Sequence, residues 1–259
     1  MLQLVGVAKS FFDPARGEIR AIDAISASVP GGVLSLVGAN GAGKSTLLRL
    51  IATLLVPDRG QVLLDGLDTR HHGQAVRARL GYLSSTTRLY PRLTGRELMR
   101  YVGGFFGLTG ARLRAAIDEQ CERFQLLGFL DQRIDAMSTG QLQRINLART
   151  LLAGPSILIL DEPTTGLDIL AAWNLIEAVR AARRADRLII LATHILPEVE
   201  HTADRLWVLR DGRLIFDGAP QALGTGETFA AAVHGLLSDR PAARPAAPLA
   251  PAGPDGGAA

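Results

Sequence analysis

The chain has 259 residues, 47% of them apolar, enough to bury one large core or a core with a subdomain. A formal net charge of +3 is too small to argue for nucleic acid, whose binders concentrate cations in a stripe, so no nucleic-acid partner is expected. The single cysteine, Cys121, excludes an internal disulfide, no run nears the roughly 18–20 apolar residues that span a bilayer, and Met1-Leu2-Gln3-Leu4 predicts no secretion signal.

A soluble cytosolic protein is expected from these features, with any membrane role coming through a partner. From the amino terminus, Leu2, Leu4 and Val7, then Ile25, Ala27 and Val29, predict half-buried strands with loops at Asp13-Pro14 and Pro30-Gly31-Gly32. Val33 to Val37 is a continuous apolar run, as in a parallel strand covered on both faces, and Leu47, Leu50, Ile51 and Leu54 carry a helical period after it. Gln61 to Leu64, closed by Asp65-Gly66, adds a strand, so a small antiparallel sheet is expected beside the parallel one. Between about Leu89 and Ala136 the pattern is helical, with Leu98, Tyr101 and Val102 and later Leu113, Ile117 and Cys121. A further helix carries Ile145, Leu147, Ala148, Leu151 and Leu152. Ile157 to Leu160 and Leu188 to Ala192 are two more buried strands. Arg180, Arg183, Arg184 and Arg187 cluster near a helix end and predict a solvated face that complements the helix dipole. Leu206 to Leu209 and Leu214 to Phe216 flank Asp211-Gly212, a hairpin signal. From Pro241 the chain turns to alanine, proline and glycine and is expected to be disordered. Alternating strands and helices predict an α/β fold.

Four places carry chemistry. Gly38-Ala39-Asn40-Gly41-Ala42-Gly43-Lys44-Ser45 matches the phosphate-loop pattern, with an apolar strand before it and an amphipathic helix after it. Its glycines let backbone amides converge on phosphate, and the helix adds about half a positive charge at its amino end. Lys44, one of only two lysines with Lys9, should reach the β- and γ-phosphates, and the Ser45 hydroxyl should ligate Mg²⁺. Asp161 closes a buried strand, where a carboxylate is costly unless a cation meets it; Mg²⁺ supplies one. Glu162 can polarise an attacking water, and His194, at the end of another strand, can contact the γ-phosphate. Ser138 with Gln141 forms a capping-box pattern, equally suited to starting a helix and, with the Gly140 amide, to meeting an anion.

With those residues in place, the first 220 or so positions resemble an ATP-binding subunit of an ABC transporter. Gly38 to Thr46 resembles the Walker A loop, Met137-Ser138-Thr139-Gly140-Gln141 the family signature, Ile157 to Glu162 the Walker B strand, Thr165-Gly166-Leu167-Asp168 the D-loop, and His194 the switch histidine. The resemblance implies an ABC-type P-loop NTPase over residues 1–240, with a helical insertion at about 86–136 and a tail at 241–259. It implies two copies facing head to tail, each ATP with its Mg²⁺ held between one Walker A and the opposite signature, acting on an integral membrane transporter subunit at the inner face of the plasma membrane. Phe11, after Lys9-Ser10, is the expected adenine platform, with Phe12 second; the competing expectation is that both rings fill the small sheet's core.

Leu80-Gly81-Tyr82-Leu83, Leu89 to Glu97 and Met137-Ser138-Thr139-Gly140 most resemble Nat-type sodium-exporter ATPases, which makes sodium the first expected cargo. Drug, lipid or polysaccharide export are alternatives, and a soluble ABC ATPase is a further one. Three positions depart from the family: Ser84 and Ser85 stand where proline and glutamine are usual, and Thr139 replaces a signature glycine.

Overall fold

The apolar runs ending at Val37, Leu160 and Ala192 lie side by side as the central strands of a six-stranded sheet in a computed structural model that describes residues 1–84 and 87–238. The expectations for Ser85 and for the tail from Pro241 lie outside the described residues. In chain order the elements are β1 (Leu2–Asp13), β2 (Gly17–Val29), β3 (Gly32–Gly38), α1 (Lys44–Ile51), β4 (Arg59–Leu64), β5 (Leu67–Asp68), α2 (Gly73–Arg77), β6 (Leu80–Ser84), α3 (Gly95–Phe105), α4 (Gly110–Phe124), α5 (Thr139–Leu151), β7 (Ile157–Asp161), α6 (Ile169–Ala181), β8 (Leu188–Ala192), α7 (Leu196–Thr202), β9 (Arg205–Arg210), β10 (Arg213–Gly218) and α8 (Gly226–Ser238).

The larger sheet runs β10-β9-β3-β8-β7-β6, with every neighbouring pair parallel except the β9–β10 hairpin at Asp211-Gly212. Successive side chains point to opposite faces, so each central strand feeds two cores. Leu34, Leu36, Ile157, Ile159 and Ile190 pack with α1 and with Leu2, Leu4, Ile22, Ile25 and Val62 of a second, antiparallel sheet, β2-β1-β4-β5. Their strand neighbours Val33, Leu158, Leu160, Ile189 and Leu191 pack with α3 to α6 through Leu98, Ile117, Cys121, Ile145 and Ile176. Val37, Leu206 and Val208 form a third cluster with Val199 of α7 and with Phe229 and Val233 of α8.

Tyr101 lies on α3, as its helical pattern predicts, and is 46% exposed, stacking edge to face with Tyr90 and Phe105 at centroid distances of 5.4 and 4.9 Å. One reading needs correction. The arginine cluster is not one solvated face. Arg183 pairs with Asp204 and Arg184 with Asp186, while Arg187 is 4% exposed. Arg187 Nε donates to Pro155 O at 2.9 Å and Nη1 to Ala182 O at 2.6 Å, so the side chain stitches the loop before β7 to the end of α6. Burial pushes its pKa down from the ordinary arginine value. Replacing Arg187 with alanine removes both donors and is expected to lower unfolding free energy by about 1–3 kcal/mol, measurable by urea denaturation.

Candidate functional site

β3 ends at Gly38 and α1 starts at Lys44, so the phosphate loop is the link between a buried strand and a helix amino end. Glycine is required at two of its positions. A Cβ on Gly38 would lie 2.6 Å from Leu209 O, and Gly43, at φ +102°, would put one 2.4 Å from Ala21 O. Gly43 caps α1 without a side-chain hydrogen bond, which leaves the donors of the first turn facing the loop. Lys44 is buried, its Nζ donating to Gly38 O at 2.6 Å and Ala39 O at 3.3 Å. Burial pushes the Lys44 pKa down, against the opposing pull of Glu162 and Asp161.

Asn40, Gly41, Gly43, Lys44, Ser45, Thr46 and Glu162 line one open pocket of ≈ 400 Å³. Gly38 and Ala42 do not: Ala42 packs into the core and its amide donates to Ala39 O at 3.1 Å. Ile19, Arg20, Ala21 and Asp211 complete the rim and were not anticipated. Asp211-Gly212 was legible only as a hairpin. The structure ties that hairpin to the loop through Gly212 N to Ala42 O at 3.1 Å and to β2 through Asp23 N to Gly212 O at 2.8 Å.

Asp161, at the end of β7, is 6% exposed. Burial raises its pKa, the Ser45 hydroxyl hydrogen bond opposes that rise, and Glu162 adds to it. A hydroxyl joined to a buried, incompletely compensated carboxylate suits a hard dication, which takes one or two carboxylates and fills its shell with water and phosphate oxygens. Among the described residues no cluster of three His, Cys, Asp or Glu offers a fuller metal cage. Glu162 holds a left-handed backbone at φ +51°, a strain of order 1–3 kcal/mol that persists where surroundings enforce it. Its N–H donates to Ala192 O at 2.9 Å, and Thr165 Oγ1 donates to Glu162 Oε2 at 3.3 Å. His194 Nδ1 stands 3.6 Å from Glu162 Oε1, with its side chain 60% exposed.

Ser138 caps α5 with the full reciprocal box: Ser138 Oγ accepts from Gln141 N at 3.3 Å and Ser138 N donates to Gln141 Oε1 at 2.9 Å. Thr139 is exposed, and the nearest atom to a Cβ on Gly140 would be Ala171 Cβ at 3.8 Å, so the turn is open to a ligand. Asp168 caps α6 by accepting from Ala171 N at 2.8 Å. Ser138, Gly140, Gln141 and Asp168 line a separate pocket of ≈ 800 Å³ that shares no residue with the phosphate-loop pocket. Phe11 lines neither, but it is 41% exposed and pairs across the strands with Ile19, which does. Lys9 Nζ lies 5.6 Å from its ring centroid. Phe12 is 79% exposed, so neither ring fills the small sheet's core.

The model of the family described as ABC transporter matches residues 23–165, more than half of the chain. The chain belongs to the ABC transporter family. It is 34% identical over 229 residues to the ABC transporter ATP-binding protein NatA of Bacillus subtilis (strain 168), covering 88% of this chain and 93% of that protein. It is 38% identical over 212 residues to the Nod factor export ATP-binding protein I of Paraburkholderia xenovorans (strain LB400), covering 82% and 70%. A solved ATP-binding subunit of an ABC transporter superposes with a TM-score of 0.80 at 26% identity, covering 92% of this chain and all of that one.

This ABC protein is thus an ATP-binding ATPase subunit with the α/β cassette fold that its sequence led us to expect. Among its described residues no helix is long and apolar enough to cross a membrane. The buried Asp161 gives the ABC ATPase a stability cost with a definite sign. A carboxyl whose folded pKa is raised binds its proton more tightly when folded, so its penalty is present above the folded value and vanishes below the unfolded one. Asp161→Asn, assayed without nucleotide, is expected to melt above the wild type at neutral pH. That difference should shrink as pH falls toward the ordinary aspartate range, in thermal melts across a pH series.

Proposed function

We propose that each catalytic site of this ABC ATPase is completed by a second copy docked head to tail, and that the pair drives export through a separate membrane subunit. The observation that carries this reading is the separation of the two pockets. The phosphate loop and the signature turn share no lining residue, so a phosphate seated in one chain needs Ser138 and Gly140 from another.

In the proposed site Lys44 exchanges its loop carbonyls for β- and γ-phosphate oxygens, and the amides of the loop and of the first turn of α1 hold the same group. Ser45 and Asp161 would hold Mg²⁺, whose charge would offset that of the phosphate oxygens. Glu162 orients the attacking water and accepts its proton, kept in place by Thr165 and its strained backbone. His194 contacts the terminal phosphate from the neighbouring strand end. Ser138 and Gly140 of the second copy donate to that phosphate from its far side, and Asp168 lies at the same contact. Phe11, on the face shared with Ile19, stacks on adenine. Catalysis of this kind is positioning and electrostatics rather than covalent chemistry.

The cargo is chosen by the membrane subunit. Sodium is the first candidate, from the Nat-type resemblance; a drug, lipid or polysaccharide is the alternative, kept open by the similarity to a Nod factor exporter. Co-purification with a polytopic membrane protein and cation flux in vesicles separate these cargoes. Co-purification with ribosomes or DNA would instead overturn the transport reading.

Two measurements test the shared site. Glu162→Gln with ATP and Mg²⁺ is expected to run as a dimer by light scattering, whereas Lys44→Ala stays monomeric and loses ATP binding. Lys44→Ala and Ser138→Arg should each cut turnover about 100-fold or more. Mixing those two variants leaves one heterodimer site with intact Lys44 and intact Ser138, so turnover should reappear. A mixture as dead as its components would place the whole site inside one chain.

A further inference from the structure

Thr193 and Glu198 form a buried pair beside His194 that plays no part in the site described so far. Thr193 follows β8 and is 1% exposed, and Glu198, in the first turn of α7, is 8% exposed. Thr193 Oγ1 donates to Glu198 Oε2 at 2.6 Å and accepts from Ile195 N at 3.1 Å. One hydroxyl therefore grips the chain on both sides of His194. Glu198 N donates to Ile195 O at 3.1 Å, and Thr193 N donates to Leu36 O at 3.3 Å, which closes the segment into a ring pinned to β3.

His194 needs such a mount. Its side chain is 60% exposed, so packing does little to hold the imidazole, and its approach to Glu162 Oε1 at 3.6 Å is set by the backbone beneath it. The mount is itself anchored. Val199, one residue beyond Glu198, packs with Phe229 and Val233 of α8, and Glu200 Oε1 accepts from Gly226 N at 2.7 Å. A buried carboxyl group is costly without a partner, and the Thr193 hydroxyl supplies one.

We propose that Glu198 is a positioning residue for hydrolysis: acting through Thr193, it fixes the backbone that presents His194 to Glu162 and the terminal phosphate. The proposal rests on the role given to His194 above. It makes Glu198 matter for turnover although it touches neither nucleotide nor metal.

Steady-state ATPase assays on Glu198→Ala, Glu198→Gln, Thr193→Val, Thr193→Ser, His194→Ala and the double variant Glu198→Ala/His194→Ala test it. Glu198→Ala and Thr193→Val are expected to lower kcat about tenfold while KM for ATP stays within about twofold. Glu198→Gln keeps an acceptor and Thr193→Ser keeps the hydroxyl, so both should recover most of the rate. The double variant should be no slower than His194→Ala, because the two act in series. A folded Glu198→Ala with wild-type kcat beside an impaired His194→Ala overturns this inference alone, as does a double variant whose losses multiply. A full-rate His194→Ala overturns the role of the histidine itself. Thr193→Val is close to isosteric and carries the comparison if Glu198→Ala fails to fold.

Discussion

Parallel strands that end at one edge, β6, β7 and β8 at the same level and β3 running on from Leu36 to Gly38, are the constraint on which the rest of the molecule depends. Across the sheet, Ser84 of β6 stands beside Asp161 of β7, Asp161 beside Ala192 of β8, and Ala192 beside Leu36 of β3. Three of these strands then release candidate site residues at one edge: Gly38 and the phosphate loop from β3, Asp161 with Glu162 from β7, and Thr193 with His194 from β8. Ligands of open α/β sheets bind outside the carboxyl ends of the strands for this reason. Register holds the arrangement. A slip of one residue in β7 would turn Asp161 toward the other face and exchange the isoleucines of one core, Ile157 and Ile159, for the leucines of the other, Leu158 and Leu160. The fully buried strands therefore stabilise the position of a carboxyl group that burial alone disfavours.

The charges at that edge are poised by the same burial. Lys44 is pushed toward its neutral form and Asp161 toward its protonated form, each partly restrained by the other's field. Both charges are short of solvation, so in the proposed site a phosphate and a dication would meet groups whose desolvation was met when the chain folded. Loop carbonyls hold Lys44 in the meantime, and the Ser45 hydroxyl does the same for Asp161. The strain at Glu162 belongs to the same scheme, a left-handed residue kept in place by Ala192 O and Thr165.

The central strands, the phosphate loop, the capping box at Ser138 and the place of His194 were all legible in the sequence, because each rests on a local pattern: an apolar run, a glycine spacing, a cap and its partner. What escaped was tertiary. Ile19, Arg20 and Ala21 join the pocket rim because the antiparallel sheet packs on the α1 face, and nothing local in β2 signals that. Arg187 carries the same charge as Arg183 and Arg184, yet its environment is a cluster of carbonyls rather than water. The Thr193–Glu198 pair lay hidden because a threonine before a histidine and a glutamate in a short helix look ordinary until they are seen buried against each other.

The two pockets are separate in space but not in the chain. Glu162, on the rim of the phosphate pocket, and Asp168, in the signature pocket, are joined by one short segment whose Gly166 takes φ +80°. Along it Thr165 reaches back to Glu162, Asp168 caps α6, and Gln143 of α5 donates to Pro163 O. The helix that carries the signature is thereby bonded to the loop that carries the proposed base of the same chain. A single contact between α5 and the loop after β7 therefore joins, within one chain, the helix that Ser138 caps to the segment that follows Glu162.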